Sequence, residues 1–122
     1  MIFDDRTIGV WAYNIETVLA EKYETILRRG ELSTRPRDFY DIYILAKTQD
    51  FDEEVFADAV KKTSANRGTT HILKDVEKRI ASIGSSEDLK RQWKKYTRNY
   101  RYAEDIPYDY IIEALKRLAL NV

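Results

Sequence analysis

Lys22, Asp38 and Asp41 are the residues of this sequence best placed to do chemistry, with Arg28, Arg29, Arg35 and Arg37 close by. Lys22 follows Val18 by four positions and precedes Ile26 by four, so on a helix its Cα lies on an apolar stripe. Asp38 and Asp41 stand three apart in the next helical pattern, at the border of its apolar face. A lysine and carboxylates on facing helices, with arginines at the same end, suit a triphosphate and its Mg²⁺. The cations hold phosphate oxygens, while the carboxylates orient the lysine or a nucleophile's proton. A structural role fits the same residues. Lys22 can pack its alkyl stem and extend its ammonium to water or to a carboxylate at the edge of a bundle. Asp38, in a first helical turn, is favoured by the helix dipole, and either Asp can pair with Arg35, Arg37 or Lys22. Position alone favours this structural role for all three.

A second cluster lies between Leu89 and Ala103, where six cations occur without an acid, interleaved with Trp93, Tyr96, Tyr100 and Tyr102. Phosphates take cations and unstacked bases take rings, so Lys90, Trp93, Lys94, Lys95, Tyr96, Arg98 and Arg101 are candidates for binding nucleic acid. The simpler alternative is an amphipathic helix with Leu89, Trp93, Tyr96 and Tyr100 turned inward. His71 has no Cys or second His near it, so no metal site is expected there.

The elements that must position these residues are helical. Asn14 is placed as the N-cap of a first helix whose stripe of Ile15, Val18, Leu19, Tyr23, Ile26 and Leu27 is closed by Gly30. A loop over Glu31 to Thr34 leads to a second helix opened by Pro36 and running to about Thr48, so the two form a tight hairpin. A third helix starts at Asp50 or Asp52 and ends near Gly68. A fourth, capped by Thr69 or Thr70, ends at Gly84, and a fifth is capped by Ser85 or Ser86. Pro107 opens the last, with Tyr110, Ile111, Ala114, Leu115 and Leu118 on its inner face. Before them, Ile8, Val10 and Ala12 alternate with Gly9, Trp11 and Tyr13 as in a short strand. The expectation is a mainly α bundle of about six helices over residues 14–122, with residues 1–13 a partial β segment at the edge of a sheet that is not otherwise encoded.

The chain has 122 residues, 43% of them hydrophobic and 34% charged, which suits one soluble domain. Zero formal net charge, from 21 Lys+Arg against 21 Asp+Glu, leaves any nucleic-acid or lipid binding to local clusters. With no Cys there is no disulfide framework and no thiolate chemistry, and no stretch reads as a signal peptide or membrane anchor, so the expected location is cytoplasmic.

The stretch from Ile8 to Leu45 closely resembles the C-terminal half of the AbiEii/AbiGii family of nucleotidyltransferase-fold toxins from bacterial abortive-infection systems. Ala20-Glu21-Lys22 on one helix, the Arg29-Gly30 turn, and Arg35 to Tyr43 (R-x-R-D-F-Y-D-I-Y) look like that family's third and fourth motifs in order and spacing. Later segments, Arg67-Gly68 and YAEDIPYDYIIEA, are similar to the family's C-terminal part. The resemblance implies Mg²⁺-dependent transfer of nucleotides from an NTP, with tRNA as an acceptor for relatives, phage defence, and a co-encoded DNA-binding antitoxin. It would have Lys22 bind or polarise the nucleotide phosphates, and Asp38 or Asp41 orient it or assist proton transfer. The family's first motif, a glycine turn followed by D-x-D, is absent; Asp4-Asp5 is adjacent rather than alternating and follows no glycine. On a strand only i, i+2 spacing points two carboxylates to one face, as a pair of metals requires. The chain therefore looks like the helical half of such an enzyme without its catalytic head, and is expected to be inert alone. Met1 is then an internal start, an artificial boundary or the product of gene decay. The alternatives are a stand-alone helical module that binds RNA or protein through the basic aromatic helix, and self-association through the exposed strand and the face left by the missing half.

Overall fold

The structure, a computed structural model, describes residues 14–122. Six α-helices follow one another: α1 (Ile15–Ser33), α2 (Pro36–Thr48), α3 (Glu53–Arg67), α4 (Val76–Ser85), α5 (Glu87–Asn99) and α6 (Tyr108–Leu118). Short 3₁₀ turns occupy Thr70–Lys74, Arg101–Ala103 and Ala119–Asn121. Among the described residues there is no strand. The strand expected within residues 1–13 lies outside them.

Local chemistry sets most helix starts. Asn14 Oδ1 accepts from the Thr17 N–H at 3.2 Å, Asp52 Oδ1 from those of Glu54 and Val55 at 2.9 and 3.1 Å, and Ser86 Oγ from that of Leu89 at 3.1 Å. Each satisfies donors that the first helical turn leaves open. Gly30 interrupts α1 with φ 58° and ψ −151°, a region that side chains rarely enter. One further turn follows instead of the expected loop. The Thr34 hydroxyl then donates to the Gly30 carbonyl at 2.6 Å, and extended Arg35 leads into Pro36, as the residue before a proline prefers.

Helix α1 is the hub, packed against α3, α2 and α4; α6 closes the bundle on α4 and α2, and α5 lies on α2. Leu19, Tyr23, Ile26 and Leu27 of α1 are fully buried, as are Phe39 and Ile42 of α2. Each such side chain contributes about 1.5–3 kcal/mol by leaving water. Tyr23 lies at the centre, its ring edge-on to Phe56 at 5.5 Å and its hydroxyl donating to the Leu115 carbonyl at 3.1 Å.

Three further expectations change. The predicted fourth helix is split, since Asp75 stands at φ −137° and ψ 39° between the 3₁₀ turn and α4. The chain leaves α3 through left-handed Gly68, Thr69 is held on α1 by its hydroxyl, and the tighter turn carries Ile72 from that anchor into the core. Gly84 lies inside α4 rather than ending it. A Cβ there would come within 3.3 Å of Ile112 Cγ2, so its hydrogen lets α6 approach closely. On α6, Tyr110 is exposed and Ile112 is buried in its place, because α6 buries Ile111, Ile112, Leu115 and Leu118 between α4 and α2.

Candidate functional site

Lys22 and Asp41 meet at the open edge between α1 and α2. The Lys22 Nζ donates to Asp41 Oδ2 at 3.0 Å, with about 30% of each side chain exposed. The short α1–α2 connection makes the helices antiparallel neighbours and sets this register. Asp38, one turn earlier on α2, faces Arg29 Nη1 at 3.8 Å. Arg35 and Arg37 are exposed at the same end. Arg28 is directed elsewhere, its Nε donating to Glu24 at 3.1 Å. The edge thus holds two half-exposed cation–carboxylate pairs with two further guanidiniums beside them.

Glu24 is the residue that the sequence pattern did not single out. Its side chain is fully buried, and it accepts from Arg28, from Arg67 Nη1 and, at 2.7 Å, from the Thr69 hydroxyl. Burial by itself would raise its pKa. The hydrogen bonds from Thr69 and Arg67 and the fields of Arg28 and Arg67 outweigh burial and hold the carboxyl below its ordinary value. Arg28 at i+4 is the one local sign of this; Arg67 and Thr69 arrive from over forty residues away. The cluster pins α3 and the following turn to α1 behind the Lys22 edge.

The basic helix α5 is divided in its use. Trp93 is buried with its indole N–H on the Ile106 carbonyl at 2.8 Å, and Lys90 pairs with Glu87 at 3.3 Å. Lys94, Lys95, Arg98 and Arg101 are exposed. Tyr96 is half-buried and belongs to a ring cluster that includes Tyr40, Tyr100 and Tyr102. Desolvation pushes its phenol pKa well up, followed by the 2.6 Å hydrogen bond with the Tyr102 hydroxyl and the charge of Asp41, while Arg37 acts the other way. Tyr40, which precedes Asp41 on α2, joins this cluster to the Lys22–Asp41 edge, its ring 4.7 Å from that of Tyr102.

No group of three or more His, Cys, Asp or Glu among the described residues could hold a metal ion. A literal D-x-D does occur, at Asp50-Phe51-Asp52, but Asp52 caps α3 and its own N–H is held by Glu16 at 2.6 Å. Asp38 and Asp41 each face a cation. His71 is exposed in its 3₁₀ turn. The donor set of residues 14–122 therefore does not fit a pair of Mg²⁺ ions.

No curated protein and no solved structure matches the chain. The family model described as the nucleotidyl transferase AbiEii toxin of a type IV toxin–antitoxin system matches residues 1–115. That match spans nearly the whole sequence, and both half-exposed pairs lie within it, so the chain belongs to the AbiEii nucleotidyl transferase toxins of type IV toxin–antitoxin systems.

Proposed function

We propose that this chain supplies the phosphate-holding half of a nucleotidyl transfer site. The observation that carries the reading is the Lys22–Asp41 contact, a half-exposed pair at an open edge rather than in the core. Such a pair contributes only about 0–1 kcal/mol to stability, so Lys22 can exchange Asp41 for a phosphate oxygen of an NTP at small cost. Asp41 holds the ammonium in place until then and afterwards takes or orients a proton. Asp38 steadies Arg29, and Arg35 and Arg37 add charge for the remaining phosphate oxygens.

Mg²⁺ would have to be held by D-x-D carboxylates from a segment other than residues 14–122, the catalytic head of this reading. The acceptor is RNA, with tRNA the first candidate, and the biological setting is abortive infection of phage-infected bacteria. Family membership implies an antitoxin partner; a co-encoded DNA-binding protein is our proposal for it. Among the described residues no helix is long and apolar enough to cross a membrane.

The test is label transfer. The chain is incubated with labelled NTPs, Mg²⁺ and tRNA, alone and with a separately supplied head carrying D-x-D from a related toxin. We expect no transfer alone and transfer when both are present, lost in Lys22→Met. Robust transfer by the chain alone would sink the requirement for a head, and transfer insensitive to Lys22→Met would sink the role of Lys22.

A further inference from the structure

We infer that Tyr40, Tyr96, Tyr100 and Tyr102 form a stacking platform for the unpaired bases of a single-stranded nucleic acid, next to the Lys22–Asp41 pair. The rings are mutually close: Tyr40 to Tyr102 and Tyr96 to Tyr100 are each 4.7 Å between centroids, and Tyr100 to Tyr102 is 5.5 Å. Core packing does not account for them all. Tyr40 and Tyr96 pack against the core, but Tyr100 and Tyr102 lie outside it and are 46% and 55% exposed. The Tyr96–Tyr102 hydroxyl contact and the ring contacts hold the two exposed rings against the two anchored ones. Stacking on them orders few new side chains.

Charge selects the occupant. Lys95, Arg98 and Arg101 adjoin the platform tyrosines along the chain, and with Lys94 they make no ion pair within the described residues. They extend over roughly 10 Å of chain, more than one phosphate requires, whereas a mononucleotide offers one base and one phosphate cluster. A strand offers both at intervals, and base–aromatic stacking accepts any base. Tyr40, the residue before Asp41 on α2, is the link to the transfer site. The platform thus positions an acceptor strand, a role that rests on the nucleotidyl-transfer reading, although the binding itself does not.

The experiment is anisotropy titration of the full chain with a labelled single-stranded RNA of about ten nucleotides, and with an abasic strand of equal length. The base-bearing strand should bind about 5- to 150-fold more tightly than the abasic one. Tyr100→Ala with Tyr102→Ala should erase that ratio and leave the abasic affinity unchanged; both residues are exposed, and a circular dichroism melt confirms folding. Tyr102→Phe, which keeps the ring, should keep the ratio. Equal binding of the two strands by the unaltered chain, or a ratio that survives the double substitution, would overturn the platform. So would a double variant that loses nucleoside triphosphate binding and keeps strand binding, since a mononucleotide would then occupy the rings. Base-dependent strand binding in a chain that binds no triphosphate supports the platform while refuting the proposed transfer site.

Discussion

Replacing Glu24 with Gln tests whether a buried carboxylate holds the back of the bundle in place. Gln keeps the size, and its carbonyl oxygen can still accept from Thr69 and Arg28, but the amide NH₂ in place of Oε1 cannot accept from Arg67. The contact from Arg67 is lost, and those from Thr69 and Arg28 no longer meet a charged acceptor. Each would lose about 0.5–1.5 kcal/mol. Both arginines are over a third exposed, and solvent screens their share, which leaves a total near 2 kcal/mol. For 122 residues this lowers Tm by about 8 °C at pH 7. The pH dependence follows from the lowered carboxyl pKa. Stabilisation is complete above the ordinary glutamate value of about 4.3 and is lost as pH falls through the lower folded-state value. The gap between the unaltered chain and Glu24→Gln should therefore be full at pH 7 and narrow steadily with acidification below about pH 4. Thermal melts followed by circular dichroism across pH 3–7 measure it. A gap that is constant with pH, that widens in acid, or that stays under 2 °C at pH 7 would refute the reasoning.

Gly30→Ala should destabilise by about 1–3 kcal/mol, because the backbone there is positive in φ even though a Cβ would meet nothing within 4 Å; urea unfolding reads the loss directly. Tyr23→Phe leaves the Leu115 carbonyl without its 3.1 Å partner in a fully buried place and should cost about 1 kcal/mol, a Tm decrease of about 4 °C. Asp41→Asn should change Tm by less than about 4 °C, as expected of a half-exposed pair, and a larger loss would make that pair structural.

The features legible in the sequence are those decided by neighbours along the chain. Asn14, Asp52 and Ser86 cap helices with their own side chains, and the spacing of Leu19, Tyr23, Ile26 and Leu27 marks a face that any packing must bury. The meeting of Lys22 with Asp41 was legible in outline, since so short a connection leaves little freedom in how α1 and α2 align. What stayed hidden is decided by distant partners. Glu24 reads as a surface residue until Arg67 and Thr69 fold over it. Gly84 reads as a helix end until Ile112 lies against it, and the break at Asp75 follows from the anchoring of Thr69 on α1. Trp93 and Tyr102 look alike as aromatic residues among cations. Only the packing of Ile106 on Trp93 and of Tyr40 on Tyr102 separates a buried ring from an open one.

The central claim is that Lys22, held by Asp41, is a phosphate ligand and not merely a surface ion pair. Calorimetric titration of the full chain with a nucleoside triphosphate, alongside Lys22→Met and a Lys116→Met control on the exposed face of α6, tests it most directly. The account predicts measurable binding that falls at least about tenfold in Lys22→Met, about one charge-assisted contact, and is unchanged in Lys116→Met. Binding that is absent in the unaltered chain, or equal in all three proteins, would contradict it.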